Sequence, residues 1–187
     1  MKVNGLLISF LITAVISGCS ITAPQYSAAV TNAQSLRDSD IAEVRVGSFV
    51  PSGSAANNNT ISLRGSSMTS PYGGSFSNYL AEAIKQELAL AGKLKESADI
   101  EVSGVLLKND IDVSGLSVGI GEIEARFIVK KNGISQYEAV KSVKTRFESS
   151  FVGAVAVPKG QQEYPNLVRT LVGELFQDPL FVKALKR

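Results

Sequence analysis

The stretch "GEIEARFIVKKNGISQYEAVKSVKTRFES", residues 121–149, decides the fold. Ile123, Ala125, Phe127 and Val129 alternate with Glu122, Glu124, Arg126 and Lys130. A period of two is the pattern of a strand with one buried and one wet face. Lys131-Asn132-Gly133-Ile134 follows, and Asn-Gly suits the positive φ angles of a two-residue hairpin turn. The strand 121–131 is therefore expected to fold back on 135–149 as an antiparallel neighbour.

Upstream, "DIEVSGVLLKNDI" (99–111) reads as a further strand. So does the alternating, β-branched "AEVRVGSFV" (42–50), which Pro51 ends. "SGSAANNN" (52–59) has loop composition, and "TISLRG" (60–65) reads as a short strand.

Two segments carry the helical period instead. In "SFSNYLAEAIKQELALAGKL" (75–94), Phe76, Tyr79, Leu80, Ala83, Ile84, Leu88, Ala91 and Leu94 share one side. Ser75 or Ser77 can cap its start, Gly92 suits its end, and Lys85, Gln86 and Glu87 mark the wet side. In "EYPNLVRTLVGELFQ" (163–177), Tyr164, Leu167, Val168, Leu171, Val172, Leu175 and Phe176 follow the same spacing, with Pro165 in the first turn. Asp178-Pro179 begins a short terminal helix docked by Phe181 and Leu185.

The resulting order is β-β-α-β-β-β-α. It predicts an α+β two-layer sandwich: a mostly antiparallel sheet with two amphipathic helices on one face. "SSFVGAVAVPKG" (149–160) is apolar where a connection belongs. It is expected to add a strand; as an exposed loop instead, it would mark a protein or membrane contact.

The N-terminus has a different character. Lys2 precedes "GLLISFLITAVIS", an apolar run of a signal-peptide kind that is too short to span a bilayer. Ile16-Ser17-Gly18-Cys19 closes it, and Cys19 is the one cysteine of 187 residues. An aliphatic residue, two small residues and a cysteine after an apolar run resemble the lipobox of bacterial lipoproteins. The resemblance implies cleavage of residues 1–18 and diacylglycerol on the Cys19 thiol, with the new amino group usually acylated. One acyl chain anchors only marginally, whereas two or three hold stably. In that family an Asp after the cysteine favours the inner membrane; Ser20 here implies the outer membrane, on its periplasmic face. No disulfide can then form within the chain.

Residues 19–39 read as a lipidated flexible tether, since "SITAPQYSAAVTNAQSLRD" (20–38) is small, polar and weakly periodic. A coil of about 19 residues would span roughly 25 Å. Residues 40–187 form the expected single periplasmic domain.

The chemistry offered is sparse. The absence of histidine removes His-based triads and most zinc sites. No G-x-S-x-G, S-x-x-K, Walker A or G-x-G-x-x-G occurs. Carboxylate-only catalysis, as in glycosidases, stays open. Net charge is +2, and near neutrality once Lys2 is removed, which gives no case for nucleic acid.

"LRGSSMTSPYGGSFSNYL" (63–80) is a Gly/Ser loop running into a helix, an arrangement able to bind an anion. Arg64 and Tyr72 are its candidate ligand contacts; a serine-capped crossover is the plainer reading. Asp110 and Asp112, with Glu122 and Glu124 nearby in sequence, are better explained as solubilising charges than as a metal site. No cofactor is expected.

The body, through "LRGSSMTSPYGGSFSNYLAEAIKQEL" and "SSFVGAVAVPKGQQEYPNLVRTLVGELFQDPLFVKALK", resembles uncharacterised proteobacterial envelope lipoproteins. Its architecture is similar to lipopolysaccharide-assembly and curli-secretion lipoproteins. The resemblance implies a non-catalytic outer-membrane assembly or transport accessory that binds an envelope protein or glycolipid partner. The alternative is a periplasmic ligand-binding module for a glycan or amphiphile. A sheet-edge complex with another protein is a further mode of contact.

Overall fold

The structure is a computed structural model and describes residues 20–53 and 57–187. Cys19 lies outside the described residues. The expected antiparallel hairpin is present: β6 (Val118–Lys131) pairs with β7 (Ile134–Glu148), with Ile123 opposite Val143 and Phe127 opposite Ala139. Asn132 and Gly133 make the turn at φ 51° and 79°, both left-handed, as a type I′ turn requires. Ile123, Ala125, Phe127 and Val129 are buried, and the charged residues alternating with them face away.

β5 (Ile100–Asp112) pairs antiparallel with β6, and β2 (Val44–Pro51) lies parallel along the other side of β5. The sheet order is β2-β5-β6-β7. Helix α2 (Phe76–Leu90) covers β2 and β5, and α3 (Gly153–Phe176) covers β5, β6 and β7. Ser75 caps α2 by accepting from the Asn78 N–H, and Gly92 leaves it at φ 71°. The α+β class and the mostly antiparallel sheet therefore stand.

A second, three-stranded sheet completes the sandwich-like arrangement. β3 (Thr60–Leu63) is the expected short strand, and β4 (Ser66–Thr69), in the stretch read as a loop, pairs with it as a hairpin. Its turn is Arg64-Gly65, at φ 48° and 86°. Arg64 carries a side chain into the left-handed region, so this turn has no Asn-Gly signal to announce it.

The third strand corrects the reading of residues 20–38 as a coil. Ser20–Thr22 is strand β1, parallel to β4 with Ser20 opposite Ser67, and Val30–Asp38 is helix α1. Ala23, Tyr26, Ala33 and Leu36 are core residues. The expected wet position of Glu87 is corrected with it. Its side chain is fully buried, and Oε1 accepts from the Tyr26 hydroxyl (2.6 Å), the Ala29 N–H (3.0 Å) and Asn32 Nδ2 (3.2 Å). The segment meant to float free is what covers this carboxylate.

The strand expected over 149–160 is also replaced. Residues 149–152 are a connection, and α3 starts at Gly153, ten residues before the expected helix. Ala156, Gly160 and Tyr164 continue the buried seam of α3 at intervals of four. A Cβ on Gly160 would stand 2.7 Å from Val113 Cγ1. Close approach selects small residues there, and small residues leave no hydrophobic period to read. Helix α4 (Pro179–Ala184) follows as expected: Asp178 accepts from the Leu180 and Phe181 N–H groups, and Phe181 and Leu185 are buried.

Candidate functional site

Arg64 and Tyr72 stand at opposite ends of β4, so the fold does not bring the two candidate ligand contacts together. Arg64 is a clamp. Its Nε donates to the Val113 carbonyl (2.7 Å), and Nη2 donates to those of Ser114 (3.1 Å) and Gly115 (2.9 Å). Nη1 donates to the Phe151 carbonyl, and the guanidinium lies 5.8 Å from the centre of the Phe151 ring. One planar fork thus ties the β3–β4 turn to the β5–β6 and β7–α3 connections, which suits arginine's fixed donor geometry.

Tyr72 belongs to the network that holds the N-terminal segment. Its hydroxyl accepts from the Tyr26 N–H at 3.0 Å, and its ring meets Tyr79 at 5.3 Å. Tyr79 donates to the Pro24 carbonyl at 2.8 Å, and Arg169 to that of Ser27 at 3.1 Å. Burial, then the Glu87 carboxylate, push the Tyr26 hydroxyl far above its ordinary range, so it remains a donor. A shallow cavity of about 190 Å³ lies between Tyr72, Asn78, Ala81, Glu82 and Lys85.

The carboxylates of β5 and β6 do share a region. Asp110 stands opposite Glu122 in register, and both line a cavity of about 190 Å³ with Asp112, Ile120 and Lys144. Each acid has a partner: Asp110 accepts from Asn57 Nδ2, Asp112 from the Ser114 N–H, and Glu122 pairs with Lys108 and Lys144. Burial raises the Asp110 carboxyl, the Ser114 N–H lowers that of Asp112, and the two lysines lower that of Glu122. Among the described residues no three acids, cysteines or histidines are grouped to hold a metal.

Sequence reasoning held one half of the site's apolar side, within 149–160, as the alternative to a strand, and missed the other half, Leu116 and Val118. Leu116, Val118, Phe151, Val152 and Val155 are exposed, Leu116 at 73% and Phe151 at 69%. All lie within four residues of backbone that Arg64 holds. Distance along the chain hides this grouping, because two connections some 35 residues apart are brought together by the clamp, by the Ser149 N–H bond to the Ser117 carbonyl (2.8 Å) and by the pairing of Val118 with Glu148.

No protein-family profile matches the chain, and no curated protein matches it. Solved structures do. Protein XCC0632 of Xanthomonas campestris, described under the family label DUF330, superposes with a TM-score of 0.54 at 11% identity. That match covers 84% of this chain and 94% of the other. A protein of Caulobacter crescentus described as a candidate lipoprotein gives 0.49 at 10% identity over 84% and 98% of the two chains. CT253 of Chlamydia trachomatis gives 0.47 at 10% over 72% and 93%. At these identities the likeness is one of fold, and of these three the first alone exceeds a TM-score of 0.5. Among the described residues no helix is long and apolar enough to cross a membrane.

Proposed function

We propose that the chain is a lipid-anchored envelope lipoprotein, acylated at Cys19 and held at the periplasmic face of the outer membrane. Its domain acts without catalysis, as an assembly or transport accessory for an envelope protein or glycolipid. One observation supports the anchor: Ser20, the residue directly after the lipobox cysteine, already lies in strand β1. Cleavage before Cys19 leaves Ser20–Thr22 in place, whereas cleavage further on would remove a strand from the smaller sheet.

The engagement of Arg64 and Tyr72 in the chain's own bonds supports the accessory role over the ligand-binding module. The outer side of β7 supplies a means of contact. β7 is an edge strand of 15 residues, paired with β6 alone among the described strands. Such an edge accepts a strand from a partner through main-chain bonds.

Two measurements test this. Cys19→Ser should accumulate as a lipid-free precursor; normal maturation of that variant contradicts the anchor. Cross-linking and pull-down with the intact lipoprotein should recover a specific envelope component; background alone contradicts the accessory role.

A further inference from the structure

We infer that the apolar rim around the Arg64 clamp is a bilayer-contacting face, seated at the boundary between headgroups and acyl chains. The inference rests on the anchor at Cys19 proposed above and adds the orientation of the domain. Because β1 runs parallel to β4 with Ser20 opposite Ser67, Ser20 lies at the end of the smaller sheet where Arg64-Gly65 turns. Consecutive Cα atoms stand about 3.8 Å apart, so the acylated residue is held beside that end of the fold. Ser20, the very next residue, already lies in β1. The end of the domain that the lipid must reach is thus the end bearing the clamp.

The surface there suits a lipid boundary. Of the eleven large apolar side chains exposed among the described residues, Leu116, Val118, Phe151, Val152 and Val155 gather at this end. Irregular backbone is ordinarily costly to bring toward lipid, because its polar groups lose water. Here Arg64 satisfies the carbonyls of Val113, Ser114, Gly115 and Phe151. The clamp therefore lets two connections present apolar side chains without leaving these carbonyls bare. Five apolar side chains anchor weakly alone; beside an acyl anchor they are a second signal, which is what stable membrane attachment takes.

The far end of the molecule provides the control. Ile134, 67% exposed, sits at the β6–β7 turn. It is roughly 40 Å from Val118 along β6, at about 3.3 Å per residue. The chain has no tryptophan, so Phe151→Trp and Ile134→Trp each create a sole tryptophan at an exposed site, excited selectively over the five tyrosines. The full chain is matured in its host and reconstituted into phosphatidylethanolamine–phosphatidylglycerol vesicles with brominated acyl chains. The Phe151→Trp protein should lose about half its emission relative to unbrominated vesicles, as for a side chain buried roughly 5–10 Å into the interface. The Ile134→Trp protein should keep its emission.

Mass spectrometry of the same samples reads the N-terminus. Acylated, vesicle-bound protein with unquenched Trp at 151 overturns the bilayer face and leaves the anchor standing. Blue-shifted but unquenched emission means a protein, a second copy included, covers the rim, and also overturns it. A chain that matures without acylation overturns the anchor, and the bilayer face with it.

Discussion

The β6–β7 hairpin and the N-terminal segment 20–38 are ordered for opposite reasons. The hairpin is specified locally: apolar and charged residues alternate along β6, and Asn132-Gly133 supplies the turn. The N-terminal segment has little of its own. Its α1 has no side-chain cap, and its buried residues Ala23, Tyr26, Ala33 and Leu36 are few and widely spaced. It is held by partners far along the chain: β4 through Ala23, Glu87 through Tyr26, Ala29 and Asn32, and α3 through Arg169. Polar composition marks a segment as free only while nothing elsewhere needs it as cover.

Tyr26→Ala should separate the two regions most strongly. It removes a buried ring packed edge-on to Tyr79 at 6.2 Å and leaves Glu87 without its shortest hydrogen bond. A loss of about 3–5 kcal/mol in denaturant unfolding is expected. Partial proteolysis should then open residues 20–38 before the β5–β7 meander. Equal opening of both would erase the distinction.

Acid should act next, on the contact that ties β7 to the C-terminus. The Asp178 carboxylate accepts from the Tyr137 hydroxyl at 2.8 Å and pairs with Lys141 at 2.7 Å. Burial works against its ionisation, but Lys141, Tyr137 and the Leu180 N–H outweigh it and hold the carboxyl down at about 2. A carboxyl depressed on folding contributes stability above its unfolded value, near 3.9, and loses it as pH falls through about 2. The stability difference between the parent and Asp178→Asn should be on the order of 1–2 kcal/mol at neutral pH and shrink between pH 4 and 2. A difference constant with pH would mean that the ionised pair contributes nothing.

Gly133→Ala should have the smallest effect. It places a side chain at φ 79° with open space around it, so only backbone strain counts. About 1 kcal/mol is expected, without change of register. A shifted register, seen in the cross-strand contacts of Phe127 and Ala139, would show that the turn rather than the alternation sets the pairing.

Elements that carry their own period were legible: β5, β6, β7, α2, the second half of α3, and α4 with its Asp-Pro start. What escaped was made elsewhere. Glu87 reads as a wet residue until α1 and Tyr26 are laid over it. The first half of α3 reads as a strand because Gly160 is small for contact with Val113 and Ile111, not for any loop. The β3–β4 turn was hidden because Arg64 takes a positive φ that its residue type does not advertise. Arg64 and Tyr72 were singled out as ligand contacts, and the fold places them apart, each bonded within the chain. Arg64 clamps connections, and Tyr72 holds the N-terminal segment.

The central claim is that residues 20–38 belong to the domain, so that no free tether follows the anchoring cysteine. Native-state hydrogen exchange on the intact lipoprotein tests it most directly. The Ala23 amide, bonded to the Thr69 carbonyl at 2.9 Å, and the Ala33 amide, bonded to Ala29 at 3.1 Å, report on β1 and α1. The account predicts that both are strongly protected and exchange through openings that also expose α2 or β4. Exchange of Ala23 and Ala33 at the rate of an unfolded chain, with β5 and β6 still protected, would contradict it.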